Sequence, residues 1–324
     1  MKAVLGIDTS CYTTSAVLLG LNGSLLAAAR RLLQVPKGKR GLAQSEMVFQ
    51  HVRALPEQLA SVWGRFPEAD CCAVGATLYP RDLEGSYMPA FLCGYGSAKA
   101  VALSRQIPLF SLSHQANHLW AGIWSAKMPQ EVQEFLAIHV SGGTTDLLHV
   151  KRCSAQLQIE QLGGSADLHA GQLLDRLGVA LGLPFPAGPH LEKMAAGFHE
   201  DAPDVPVAVQ GLQLSLSGPE THLKKLLQKE IPPPLLAAAA ENLLGETLFR
   251  LLRRAVRQTG VRDILGVGGV LANTHIREHS LGRLQRKLGC HIYLPEPCWS
   301  GDHALGAAYH AVLALQEQRI AKHK

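Results

Sequence analysis

The chain has 324 residues, 47% of them hydrophobic, 18% charged and 6% aromatic, a length that suggests two domains or one duplicated unit with a core needing no disulfide or metal staple. High apolar content with a formal charge of only +5 excludes global disorder and permits a nucleic-acid partner without requiring one. No membrane span is expected, because the most apolar stretch, Leu235–Leu252, is interrupted by Glu241, Asn242, Glu246 and Arg250.

In chain order, Val4–Leu19 reads as strand, polar turn, strand. Its short apolar start runs directly into Asp8-Thr9-Ser10, which is not a leader pattern. Gln44–Trp63 then predicts a helix, Cys72–Leu78 a strand, Gly94–Ser104 a helix, Pro108–Leu112 a strand and Ser113–Trp124 a helix. A second strand–turn–strand unit follows at Leu136–Val150, around Ser141-Gly142-Gly143-Thr144-Thr145, and its Thr-Thr pair matches Thr13-Thr14 in the first unit. Beyond it come a helix over Leu168–Leu181, a stiff loop over Pro184–Pro189, and a long helix opened by Pro232-Pro233-Pro234 and closed by Gly260. The strand Asp263–Val267 runs into Gly268-Gly269, and Arg277–Leu288 predicts one more helix. Such alternation gives an α/β class with a mixed sheet in each of two lobes, residues 1–130 and 131–324.

Several residue groups carry chemistry. A tight turn of Ser, Thr and Gly exposes backbone N–H groups and hydroxyls to a phosphate, and its duplication is what lifts the reading above that of an ordinary hairpin. His114-Gln115-Ala116-Asn117-His118 sets two imidazoles four residues apart on one helix face, either within reach of one metal ion or packed and exposed separately as ordinary helix histidines. The likeness to zinc-protease helices is superficial, since Gln115 cannot act as a base. Asp302, at a glycine turn before a small-residue helix, would complete a His-His-Asp set suited to Zn or Fe(II), or would simply cap that helix. Gly266–Asn273 forms a glycine turn where a planar ring or phosphate can approach the backbone, with the Asn273 amide on offer to the same ligand, and Asp175 offers a carboxylate for ribose hydroxyls or stands as a surface charge. Three basic groups (Lys37, Lys39 and Arg40; Lys224, Lys225 and Lys229; Arg250, Arg253, Arg254 and Arg257) read as solvated faces. Seven cysteines without metal spacing fit reduced thiols in the cytoplasm.

In sequence, these pieces resemble the tRNA N6-adenosine threonylcarbamoyltransferase family, long labelled sialoglycoprotease-like. Gly6-Ile7-Asp8-Thr9-Ser10-Cys11 resembles its G-I-[DE]-T-S-C, and His114–His118 its H-x-E-x-H. Val140–Thr145 resembles V-S-G-G-H-T, Gly171–Arg176 G-E-A-F-D-K, and Leu181–Pro189 L-G-L-x-Y-P-G-G-P. Ser215–Gly218 resembles S-F-S-G, Gly268–Asn273 G-G-V-x-A-N, and Gly301-Asp302-His303 the closing T-D-N. The resemblance implies a duplicated two-lobe fold of the actin-like ATPase type. It implies a divalent transition metal, Fe or Zn, on His114, His118 and Asp302. It also implies ATP or threonylcarbamoyl-adenylate on Ser141, Gly142, Gly143, Asp175, Gly188 and Asn273. The implied reaction moves threonylcarbamoyl to N6 of adenosine in tRNA, and a paralogous or accessory subunit is an expected partner.

The sequence departs from that pattern in the first lobe. Tyr12-Thr13 stands where the family has Asp-Glu, Ala116 replaces the central glutamate of H-x-E-x-H, and Gln172 replaces the Glu of G-E-A-F-D-K. The family's A-G-P-G loop has no counterpart in Tyr79–Ser86, Pro219 stands where a Lys follows S-F-S-G, and two extra residues separate Cys298 from Asp302. The alternative implied is a non-catalytic paralogue acting as a nucleotide-binding partner subunit. A protease is the weakest reading, since no Ser-His-Asp or Cys-His set is evident.

Overall fold

A computed structural model describes residues 1–10, 12–36 and 41–322. Cys11 and the basic group Lys37, Lys39 and Arg40 lie outside the described residues. The first half comprises β1 (Lys2–Thr9), β2 (Thr13–Gly20), β3 (Leu25–Leu32), α1 (Gln44–Arg65), β4 (Asp70–Tyr79), α2 (Pro89–Arg105), β5 (Leu109–Ser113) and α3 (His114–Ser125). The second comprises β6 (Glu134–Val140), β7 (Thr145–Cys153), β8 (Gln156–Ser165), α4 (Ala170–Ala180), α5 (Gly188–Ala195), β9 (Ala208–Gln210), β10 (Gln213–Ser215), α6 (Ser217–Gln228) and α7 (Pro233–Thr259). It ends with β11 (Asp263–Val267), α8 (Thr274–Arg277), α9 (Arg283–Leu288), β12 (His291–Tyr293) and α10 (Leu305–Lys322).

The two sheets repeat one plan. In the first, β1, β2 and β3 form an antiparallel meander while β4 and β5 lie parallel to β1, giving the order β3-β2-β1-β4-β5. In the second, β6, β7 and β8 form the meander and β11 and β12 the parallel pair. The strands β10 and β9 extend that sheet beyond β8. Every residue of β2 and all but Lys2 of β1 are buried, because helices cover both faces, and such strands read as near-continuous apolar runs.

Two helices join the sheets. Along α3, Ala116, Leu119, Trp120 and Ile123 pack with Phe135, Ala137 and Leu148 of the second sheet. The C-terminal helix α10 returns to the first sheet, where Leu305, Ala308, Ala311 and Val312 pack on Val4, Val17 and Ala73. The strands of the first sheet all precede residue 130 and those of the second all follow it, and α10, from the end of the sequence, packs on the first sheet. Two local expectations also change. The loop Pro184–Pro189 ends early, since Gly188 and Pro189 already open α5. The helix expected at Arg277–Leu288 is present and starts earlier, at Thr274, with α8 running through one widened turn at Glu278–Gly282 into α9. The six described cysteines are all free, and the basic residues Lys224, Lys225, Lys229, Arg250, Arg254 and Arg257 are exposed, as solvated faces should be.

Candidate metal centre and adjoining cleft

In the first sheet the carboxyl ends of the parallel strands β1, β4 and β5 converge, the usual place for a site in such sheets. Asp8 stands near the end of β1, Thr77 near the end of β4, and His114 is the first residue of α3, directly after β5. The helix starts there because the Ser113 hydroxyl accepts from the Ala116 N–H at 3.0 Å. Four residues on, His118 faces the same way. The two Nε2 atoms lie 3.1 Å apart, and Asp302 Oδ1 lies 3.2 Å from His118 Nε2 and 3.6 Å from His114 Nε2. Asp302 comes from the segment before α10, and one ligand atom from each of the three side chains lies within 4.8 Å of the others, close enough to share one ion.

The residues fit a metal on three counts. A tetrahedral site with bonds of about 2.0–2.1 Å has edges of about 3.3 Å, and the three donor separations bracket that value. Asp8 Oδ1 accepts from His114 Nδ1 at 3.0 Å, which fixes the tautomer and leaves Nε2 as the donor atom. Among the described residues Asp8 Oδ2 is buried with no hydrogen-bond partner, a polar atom that a nearby cation would balance. Burial disfavours the charged form of His114, but Asp8 and Asp302 outweigh it and push its pKa up to about 10. Burial also opposes ionisation of Asp302, yet hydrogen bonds from His114 and His118 hold its carboxyl well below the usual range.

Further side chains hold this set in place. Thr77 donates to Asp8 Oδ1 at 2.6 Å, and Ser10 donates to Asp302 Oδ2 at 2.9 Å. His51 of α1, fully buried, ties the first turn through Thr14 Oγ1 at 2.8 Å and the Ser10 carbonyl at 2.6 Å. Asn117 donates to the His303 carbonyl and accepts from the Ala307 N–H, both at 2.8 Å, so α3 grips the chain directly after Asp302.

The remaining expected residues take varied positions. Ser141, Gly142 and Gly143 form the open turn between β6 and β7, with both glycines exposed, and the turn closes through Ser141 N–H to the Thr144 carbonyl at 2.8 Å. Gly268, at φ +101°, lies against it, where a Cβ would meet the Val140 carbonyl oxygen at 2.3 Å. Asp175 is spent on the Ala187 N–H at 2.8 Å, tethering the proline loop just before Gly188. The Asn273 amide is also committed, donating to buried Glu241 at 2.6 Å and accepting from the Ile276 N–H as the cap of α8. A cavity of about 350 Å³ opens between α5 and α8, lined by Glu192, His199, Glu241, Thr274 and His275 among others. Tyr12 meets Phe185 of the proline loop edge-on at 5.9 Å, bringing an aromatic contact where the family pattern places a carboxylate.

The Ser215-Leu216-Ser217 motif has a structural task. Both serine hydroxyls and the Leu216 and Ser217 N–H groups donate to Asp167. Burial opposes ionisation, but these donors hold the Asp167 carboxyl well below the usual range. A depressed folded pKa gives stability that is present above the unfolded value of about 3.9 and lost as pH falls below it. Asp167→Asn is therefore expected to lower the melting temperature at pH 7, with the gap from wild type narrowing only as pH falls below about 4 and closing as it passes through the depressed folded value; a gap that stays equal from pH 7 down to pH 2 contradicts the assignment.

Comparison with known proteins fits this geometry. The profile of the family described as tRNA N6-adenosine threonylcarbamoyltransferase matches residues 85–309, well over half of the chain. The protein of that name from Bacillus thuringiensis (strain Al Hakam) is 29% identical over 337 residues, covering 98% of this chain and 93% of that protein. The one from Thermus thermophilus is 30% identical over 305 residues, covering 93% and 89%. Among solved structures, the activator of the 2-hydroxyisocaproyl-CoA dehydratase from Clostridium difficile, with bound ADPNP, has a TM-score of 0.55 at 16% identity, covering 98% of this chain and 97% of that one. The HypF of T. kodakarensis has a TM-score of 0.59 at 14% identity, covering 98% of this chain and 48% of that one. These structural likenesses establish the two-lobed actin-like ATPase and sugar-kinase fold. No described helix is long and apolar enough to cross a membrane. By profile, by length of match and by the order of its motifs, this chain belongs to the tRNA N6-adenosine threonylcarbamoyltransferase family.

Proposed function

We propose that this chain transfers a threonylcarbamoyl group from its adenylate to N6 of an adenosine in tRNA. One observation carries the reading: His114, His118 and Asp302, from distant parts of the chain, converge on one point at the carboxyl end of the first sheet. In the reaction a C–N bond forms to N6, the C–O bond to the phosphate breaks, AMP leaves with the electron pair, and N6 gives up a proton. An Fe(II) or Zn(II) ion on the three donors would polarise the carbonyl under attack and hold the substrate carboxylate. The chain's own residues do the rest. Asp8 fixes the His114 tautomer, Ser10 and Asn117 hold the Asp302 turn, and the Ser141-Gly142-Gly143 N–H groups receive phosphate. Gly188, at the start of α5, and Asn273, next in sequence to the cavity-lining Thr274, would contact the nucleoside; Asn273 would serve by its backbone, since its amide is engaged, and Asp175 by fixing the proline loop. A cytoplasmic location is part of the same reading.

A second reading, a nucleotide-binding partner subunit without its own transfer activity, is favoured by Tyr12 packing on Phe185 in place of a carboxylate. An accessory subunit fits either case, because Phe49 and Val52 of α1 and Leu92 of α2 leave apolar surface exposed. The purified chain, given threonylcarbamoyl-adenylate and an unmodified tRNA transcript, is expected to yield threonylcarbamoyladenosine on nuclease digestion. Adenylate binding without transfer would select the partner-subunit reading, and no binding at all would remove both.

A further inference from the structure

The turn Ser141–Thr144 carries no charged side chain, so a phosphate seated on its N–H groups needs a cation from elsewhere. One stands at its base. Asp146, two residues past Thr144 and buried, lies directly opposite His139 in the β6–β7 register. The His139 ring packs 4.5 Å from that of His118, which links this spot to the metal donors. Across the lobes, Arg81 reaches Asp146 Oδ2 with one nitrogen, at 3.0 Å. Gln115 and Gln161 already donate to the two Asp146 oxygens, at 3.2 and 3.3 Å. Both Asp146 oxygens therefore have donors besides the guanidinium. Among the described residues its other two nitrogens have no partner, and the side chain is 29% exposed against 3% for Asp146. Its loop is anchored independently, by Gln115 N–H to the Pro80 carbonyl at 3.0 Å and Arg81 N–H to Ser86 Oγ at 3.0 Å. That loop is the one with no counterpart in the family pattern.

We propose that Arg81 is a specificity-determining residue that receives the α-phosphate of the acyl adenylate, with Asp146 as the positioning residue that holds it beside the turn. This rests on the nucleotide reading above. A preorganised guanidinium with free donors favours phosphate through charge-assisted hydrogen bonds. The test is calorimetric titration of AMP, adenosine and N-carbamoyl-threonine into wild type, Arg81→Gln and Arg81→Lys, each checked for an unchanged melting temperature. Arg81→Gln is expected to weaken AMP about ten- to a hundredfold and leave adenosine within about twofold, with Arg81→Lys partly restoring AMP. Unchanged AMP affinity, or equal loss for AMP and adenosine, overturns the proposal. So does a loss confined to N-carbamoyl-threonine, which would make Arg81 a carboxylate receptor. Binding of neither AMP nor adenosine to wild type would instead defeat the nucleotide reading, and this proposal with it.

Discussion

Incubated with one equivalent of Zn(II) or Co(II) and passed through a desalting column, the wild-type chain is expected to retain the ion, and His118→Ala and Asp302→Ala to release it. Each variant leaves two of the three converging donors, and a two-donor site with exposed open positions does not compete with water and buffer for a transition ion. Asp8→Asn is the more discriminating change, because Asp8 touches no metal position. It accepts from His114 Nδ1 and from the Thr77 hydroxyl, and its other oxygen is buried without a partner among the described residues. Removing its charge while keeping its shape is expected to weaken binding about ten- to a hundredfold with little change in melting temperature. The pH dependence has a fixed sign. With no ion bound, Asp8 and Asp302 raise the His114 pKa to about 10 against the effect of burial. Below that value the ion must displace a proton, so affinity rises with pH by about tenfold per unit for one displaced proton. A competition titration with a chromophoric chelator at pH 6, 7 and 8 reads that slope. Full metal retention by His118→Ala, or an affinity flat in pH, contradicts the centre as described.

Local pattern made much of the framework legible. β11 falls on Asp263–Val267 as its apolar run before Gly268-Gly269 indicates, and α3 starts where Ser113 can cap it. The two hairpins stand out because each has a strand-forming run on both sides of a turn rich in small and hydroxyl residues. What depends on which distant strands become neighbours was not legible. Asp8 matters because β4 and β5 lie parallel beside β1, bringing Thr77 and His114 to it. Asn117 sits inside the motif that drew attention to its histidines, yet its task comes from α10 lying across it. Asn273 was recognisable as a polar residue at a glycine turn, but its amide goes to Glu241, placed by α7 far back along the chain. The return of α10 to the first sheet left no mark of its own, since small residues at Ala304, Ala307, Ala308 and Ala311 suit any close packing. The three-residue strands β9, β10 and β12 are too short to show a period at all.

The crossing of α3 and α10 is where the fold and the site depend on the same atoms, and Gly306→Val is expected to damage both. A Cβ at Gly306 would lie 1.9 Å from the Asn117 carbonyl oxygen and 2.7 Å from its carbon. The obstacle is helix backbone, so relief requires the two helices to part. Parting them breaks both Asn117 hydrogen bonds, to the His303 carbonyl and from the Ala307 N–H, leaving buried polar groups unpaired at about 1–3 kcal/mol each. With the overpacking itself, the loss is expected to reach about 3 kcal/mol or more, a large share of the stability of a typical domain. Asn117→Leu separates the two contributions, keeping the close crossing but removing the hydrogen bonds. Its expected cost is about 2–4 kcal/mol, and it should weaken metal binding because the Asp302 turn loses its grip on α3. Gly64→Ala, on α1 with nothing within 4 Å of the added Cβ, is the control and should be neutral or stabilising by about 0.5–1 kcal/mol. Urea unfolding of the three variants, with metal content measured on the same samples, gives the comparison. If Gly306→Val unfolds at the wild-type midpoint, the two helices do not approach as closely as stated, and the route by which α10 brings Asp302 to the histidines is wrong.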